Sequence, residues 1–110
     1  MRLNAGIKRG SAELAILSVL AQEALHGYEI ARRIAQGSGG QLQFSLASLY
    51  PMLYSLERRG LIRGAWASAN GRRRRSYRLT PAGQKQIGPL RREWRTFFQA
   101  LDRLTGVADA

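Results

Sequence analysis

Residues 66–79 read Trp66-Ala67-Ser68-Ala69-Asn70-Gly71-Arg72-Arg73-Arg74-Arg75-Ser76-Tyr77-Arg78-Leu79. Asn70-Gly71 is a strong signal for a two-residue hairpin turn, because a type I′ turn needs positive φ at both central positions. Its flanks suit strands. Leu61 to Ser68 carries Ile62 and Trp66. Arg72 to Leu79 alternates, with Arg73, Arg75, Tyr77 and Leu79 on one face and Arg72, Arg74, Ser76 and Arg78 on the other. Tyr77 and Leu79 are then the anchors of the hairpin, and arginines crowd its tip.

That crowding is local as well as global. The chain of 110 residues carries 18 Lys and Arg against 7 Asp and Glu, a net charge of +11. Eight of the arginines fall between Arg58 and Arg78, a span without a carboxylate. A field of this sign attracts polyanions, and its concentration beside one turn points to nucleic acid rather than to a generally basic surface. Arg2, Lys8 and Arg9 add an N-terminal basic arm that could reach a phosphate backbone.

Upstream of the hairpin the pattern is helical. Ser11 to Ala24 is apolar on most sides, as in a helix buried between others, with Ser11 as its cap. Tyr28 to Gln36 follows, with Gly27, Ile30, Ala31, Ile34 and Ala35 on one face. It ends in the loop Gly37-Ser38-Gly39-Gly40. A third helix runs from about Ser45 to Arg59, with Leu46, Leu49, Tyr50, Leu53 and Leu56 as its stripe. Two starts are open. Ser45 as cap puts Pro51 in the second turn, where it deletes a backbone bond; a start at Ser48 makes Pro51 comfortable. Tyr28, Tyr50, Leu53 and Leu56 are read as core or inter-helix packing.

Downstream, Thr80 caps and Pro81 suits the first helical position. Ile87, Leu90, Trp94, Phe97, Leu101 and Leu104 then recur at spacings of three and four, an a/d seam. Gly88-Pro89 is expected to bend it near the start. Three helices already fill a core of this size, so the seam is read as a surface buried against a second copy. Val107 to Ala110 read as a frayed tail.

The expected fold is mainly α with a small β-hairpin: a winged helix-turn-helix plus a C-terminal dimerisation helix. Residues 1–79 form the DNA-binding part and 80–110 the dimerisation helix, in one compact unit. The third helix is the natural reader of the major groove. Gln43, Ser45, Ala47, Ser48 and Tyr54 are its candidate contacts, and Arg72, Arg73, Arg74 and Arg75 clamp phosphate or enter the minor groove. Glu57 is open between pairing with a basic residue, so orienting the reader, and standing as an ordinary solvated carboxylate.

These residues also carry a resemblance. Gly27-Tyr28-Glu29-Ile30, Ser48-Leu49-Tyr50-Pro51-Met52-Leu53, Leu56-Glu57-Arg58-Arg59-Gly60-Leu61-Ile62 and Arg74-Arg75-Ser76-Tyr77-Arg78-Leu79-Thr80-Pro81-Ala82-Gly83 resemble the PadR family of bacterial transcriptional regulators, in its short form with one C-terminal helix. The resemblance covers about residues 11–104. It implies a homodimer on a roughly palindromic operator, usually acting as a repressor, released in some members by phenolic compounds or flat aromatic drugs. In some of those a tryptophan of the last helix lines a pocket at the dimer centre, and Trp94 holds the matching place. Gly88-Pro89 departs from the family's commoner uninterrupted helix.

Other classes fit poorly. Without cysteine there are no disulfides or thiolate metal sites, and His26 stands alone, so neither a metal nor another cofactor is expected. Glu13, Glu23, Glu29, Glu57, Glu93, Asp102 and Asp109 show no acid–base pairing, so no enzyme is expected. No apolar run approaches the roughly 18 residues of a membrane span, and no signal peptide is evident, so a cytoplasmic protein is expected. The alternative class is a dimeric small-molecule-binding module acting through a protein or RNA partner, motivated by Trp94, Phe97 and Phe98.

Overall fold

The first helix is set by its apolar residues. In the computed structural model, which describes residues 5–106 (backbone alone at 5–10 and 69), α1 spans Ala5–Leu20 and buries Ala12, Ile16, Leu17 and Leu20. It starts six residues before the expected Ser11 cap. No proline interrupts residues 5–10, and extending an existing helix is easier than nucleating one. Arg2 and the side chains of Lys8 and Arg9 lie outside the described residues, as does the tail from Val107. The helix stops at Leu20 rather than Ala24. Leu25 is buried instead, and Leu25–His26 forms a short strand, β1, that the sequence reading missed.

Two helices complete the helical layer. In α2, Gly27–Gly37, Ile30 and Ile34 face the core. Its C-terminal loop turns on Gly39 and Gly40, both at positive φ, and Ser38 Oγ accepts from Leu42 N–H at 2.9 Å. In α3, Leu46–Arg58, the buried stripe is Leu49, Leu53 and Leu56. Ser45 is its cap: Ser45 Oγ accepts from Ser48 N–H at 3.1 Å. The earlier of the two starts is therefore adopted, with Pro51 in the second turn. Its missing N–H leaves the Ala47 carbonyl without its helical donor. Ala47 is exposed, so water can supply one.

The sheet is antiparallel in the order β1-β3-β2, with β2 at Ile62–Ala69 and β3 at Arg72–Leu79. The hairpin register runs from Ile62↔Leu79 to Ala69↔Arg72. Asn70 and Gly71 both take positive φ, 52° and 75°, as a type I′ turn requires. β1 joins the other edge of β3 through Leu25↔Tyr77 and His26↔Ser76. Leu61, Ile62 and Tyr77 sink the hairpin base into the helical core. Burial pushes the Tyr77 hydroxyl above its ordinary pKa, an effect that Arg75 opposes.

Thr80 links sheet to last helix. Its Oγ1 accepts from Gly83 N–H at 3.1 Å and donates to the Gly60 carbonyl at 2.7 Å, while its N–H donates to the Leu61 carbonyl at 3.1 Å. α4, Pro81–Thr105, then runs through Gly88-Pro89 without a break. Pro89 deprives only the Lys85 carbonyl, and Lys85 is exposed. At 1.5 Å per residue the helix is roughly 37 Å long. It gives the molecule its long dimension of 55 Å. Among the described residues, no helix is long and apolar enough to cross a membrane.

Candidate nucleic-acid interface

The interface begins at the first turn of α3. Ser45, Ala47 and Ser48 are exposed there, and Gln43 precedes them, its Nε2 donating to the Gly40 carbonyl at 3.1 Å. Ser45 Oγ is engaged as the cap and also donates to Ser48 Oγ at 3.1 Å. Ala47 and Ser48 are thus the side chains at this end with the most freedom to meet a base edge. Tyr54 lies two turns further on, exposed, with the Arg58 guanidinium 6.0 Å from its ring centre.

The hairpin divides its arginines into two kinds. Arg72, Arg73 and Arg74 are exposed, and none is paired with a carboxylate among the described residues. Arg75 is different. It makes an ion pair with Glu57 of α3, whose Oε2 also accepts from Gly64 N–H at 3.2 Å. The Trp66 ring lies between Arg73 and Arg75, at 5.2 and 5.7 Å. Arg75 is therefore part of the joint between hairpin and α3, and Glu57 is the group on α3 that makes it. The other ion pairs, Glu13 to Arg59, Glu23 to Arg33 and Glu29 to Arg32, leave Arg72, Arg73 and Arg74 of the hairpin without a carboxylate partner among the described residues.

Two tyrosines read as packing are both exposed, although Tyr50 still lies against Gly27 of α2. Tyr28 is 61% exposed and Tyr50 46%. Both line a cleft of about 680 Å³ between the hairpin and the starts of α2 and α3, together with His26, Trp66 and the three arginines 73–75. Their helical phase explains the correction. Each sits about 100° around its helix from the neighbouring buried residue, Gly27 or Leu49, at the edge of the apolar stripe. Leu53 and Leu56 are buried as expected. The Arg74 Nη1 donates to His26 Nε2 at 3.0 Å, and Glu29 Oε1 lies 3.2 Å from the same nitrogen.

The seam of α4 also divides. Ile87 and Leu90 pack against the core of their own chain. Trp94 is half-buried, whereas Phe97, Phe98, Leu101 and Leu104 are exposed. Trp94, Phe97 and Phe98 form one aromatic group, with ring centres 5.6–5.9 Å apart.

The chain is similar to known proteins in sequence and in fold. Residues 16–88 match the profile described as the transcriptional regulator PadR-like family. The transcriptional regulator Rv3488 of Mycobacterium tuberculosis is 33% identical over 85 residues, 77% of each chain. A transcriptional regulator from Clostridium thermocellum superposes with a TM-score of 0.83 at 27% identity, covering 90% of this chain and 97% of that one. A PadR-like transcriptional regulator from Bacillus cereus gives 0.77 at 25% identity, covering 92% and 97%.

Proposed function

This chain belongs to the PadR-like family of transcriptional regulators, DNA-binding proteins rather than enzymes, and from that premise we propose that it is a sequence-specific repressor gripping an operator as a homodimer. One observation carries the reading. The exposed first turn of α3 and the arginine-bearing hairpin are joined through Glu57, so the two DNA-facing elements hold a fixed relation. Ala47, Ser48 and Gln43 read base edges; Ser45 and Tyr54 bond phosphates; Arg72, Arg73 and Arg74 embrace the backbone or enter the minor groove. Residues 1–79 do the reading and 80–110 the pairing, in the cytoplasm.

The test is the set of DNA fragments selected from a random pool. Ser48→Ala shifts the preferred base at one position of each half-site by about 1 kcal/mol, while affinity for unrelated DNA is kept. An unchanged selection removes α3 as the reader.

Pairing through Trp94, Phe97, Leu101 and Leu104 sets the two reading helices about 34 Å apart, one turn of duplex. Ile87 and Leu90 serve it indirectly, by fixing α4 to its own chain. Phe97→Asp combined with Leu101→Asp yields a species of one chain, 12.3 kDa by light scattering. A dimer that survives the double substitution places the contact elsewhere. The aromatic group around Trp94 supports a flat aromatic effector as the releasing signal.

A further inference from the structure

Single exposed aromatic residues need no explanation on a small domain. Tyr28, Tyr50 and Trp66 are not single: all three line one cleft, beside Arg73 and Arg74, and no carboxylate lines it. We propose that this cleft is a seat for one backbone phosphate of the bound duplex, flanking the groove that α3 enters, with the Tyr28 and Tyr50 hydroxyls as neutral donors beside the arginines. The proposal rests on the DNA-binding reading above and adds residues to it.

The walls of the cleft are held before any ligand arrives. Tyr50 lies across the start of α2, and a Cβ at Gly27 would fall 2.7 Å from its hydroxyl oxygen. Glycine at that position is what lets the ring approach. On the opposite wall Trp66 supports the Arg73 guanidinium at 5.2 Å. His26 bridges the walls, since it accepts from Arg74 and stacks on Tyr28 at 6.4 Å and 23°. Donors gathered in this way already border one space before binding.

The chemistry of the lining selects the ligand. A phosphodiester offers acceptor oxygens and one negative charge, which suit two hydroxyls and the Arg73 guanidinium, leaving Arg74, which donates to His26, for the next phosphate of the strand. Its flanking deoxyriboses offer apolar faces, which suit Trp66. A small aromatic anion shares part of this chemistry and is the competing source.

Neutral and charged donors separate cleanly by salt dependence. Losing a phosphate contact from arginine reduces the slope of log K against log salt, because fewer counterions are released; losing a hydroxyl does not. Tyr28→Phe and Tyr50→Phe should each weaken binding by about tenfold, as expected for a hydrogen bond to a charged group. The factor should be the same for operator and unrelated duplex, with salt slope and melting temperature unchanged. A double variant that binds like the wild type overturns the seat alone. So does a loss confined to the operator, which would mean base reading. A wild type that binds no duplex at low ionic strength overturns the seat and the DNA-binding reading together. In a Trp94→Phe background, 4-hydroxybenzoate or phenyl phosphate that quenches Trp66 at micromolar concentration and competes with DNA would make the cleft an effector site instead.

Discussion

Gly83→Ala lowers the melting temperature by about ten degrees or more, the largest stability loss expected from a single added methyl group in this protein. The cause is local. Gly83 is buried in the first turn of α4, and its Cβ would collide with the Leu61 backbone carbonyl and come within 2.7 Å of Leu79 Cδ1. That carbonyl cannot step aside, because it accepts from Thr80 N–H at the joint of sheet and helix. Helix propensity alone would favour alanine by about 1 kcal/mol, so a loss of about 3 kcal/mol means sterics outweigh propensity several-fold. Thermal unfolding followed by circular dichroism decides it, and a variant as stable as the wild type removes this close approach from the account. Gly27→Ala is the useful contrast, since the obstacle there is the far end of an exposed tyrosine that can swing away.

Replacing Arg72, Arg73, Arg74 and Arg75 together by alanine weakens binding to every duplex and flattens the salt slope by about 2.7, three phosphate contacts at 0.9 each, rather than four. The missing unit is Arg75, whose guanidinium is committed to Glu57 and Trp66. Arg75→Ala alone should leave the slope nearly intact and loosen the joint between hairpin and α3. A fall of about 3.6, four contacts at 0.9 each, overturns that division, and no fall at all takes the hairpin out of the mechanism. Mobility shifts between 50 and 200 mM salt supply the slopes.

Much of this architecture could be read before any coordinates. Asn70-Gly71 fixed the hairpin because few other dipeptides enter two successive positive-φ positions so easily. Thr80-Pro81 fixed the start of α4, and the leucines of α3 its buried stripe. What escaped was set by partners far along the chain. β1 has only two residues, and nothing local to Leu25-His26 says that β3 will lie beside it. Tyr28 and Tyr50 were misplaced because a tyrosine at the margin of an apolar stripe suits packing and solvent equally, and only the hairpin opposite decides. Glu57 was open between an ion pair and a solvated carboxylate, and the register that sets Arg75 across from Trp66 decides it.

Beyond Leu90, among the described residues, no side chain of the final helix belongs to or packs against the buried core, yet the helix continues for more than four further turns. Extension from the anchored turns spares this segment the cost of nucleation, but its exposed apolar residues gain nothing from burial within the buried core. Under the pairing proposed above those turns lean on a second copy, so that dilution loosens the end of the rod before it touches the domain that carries it.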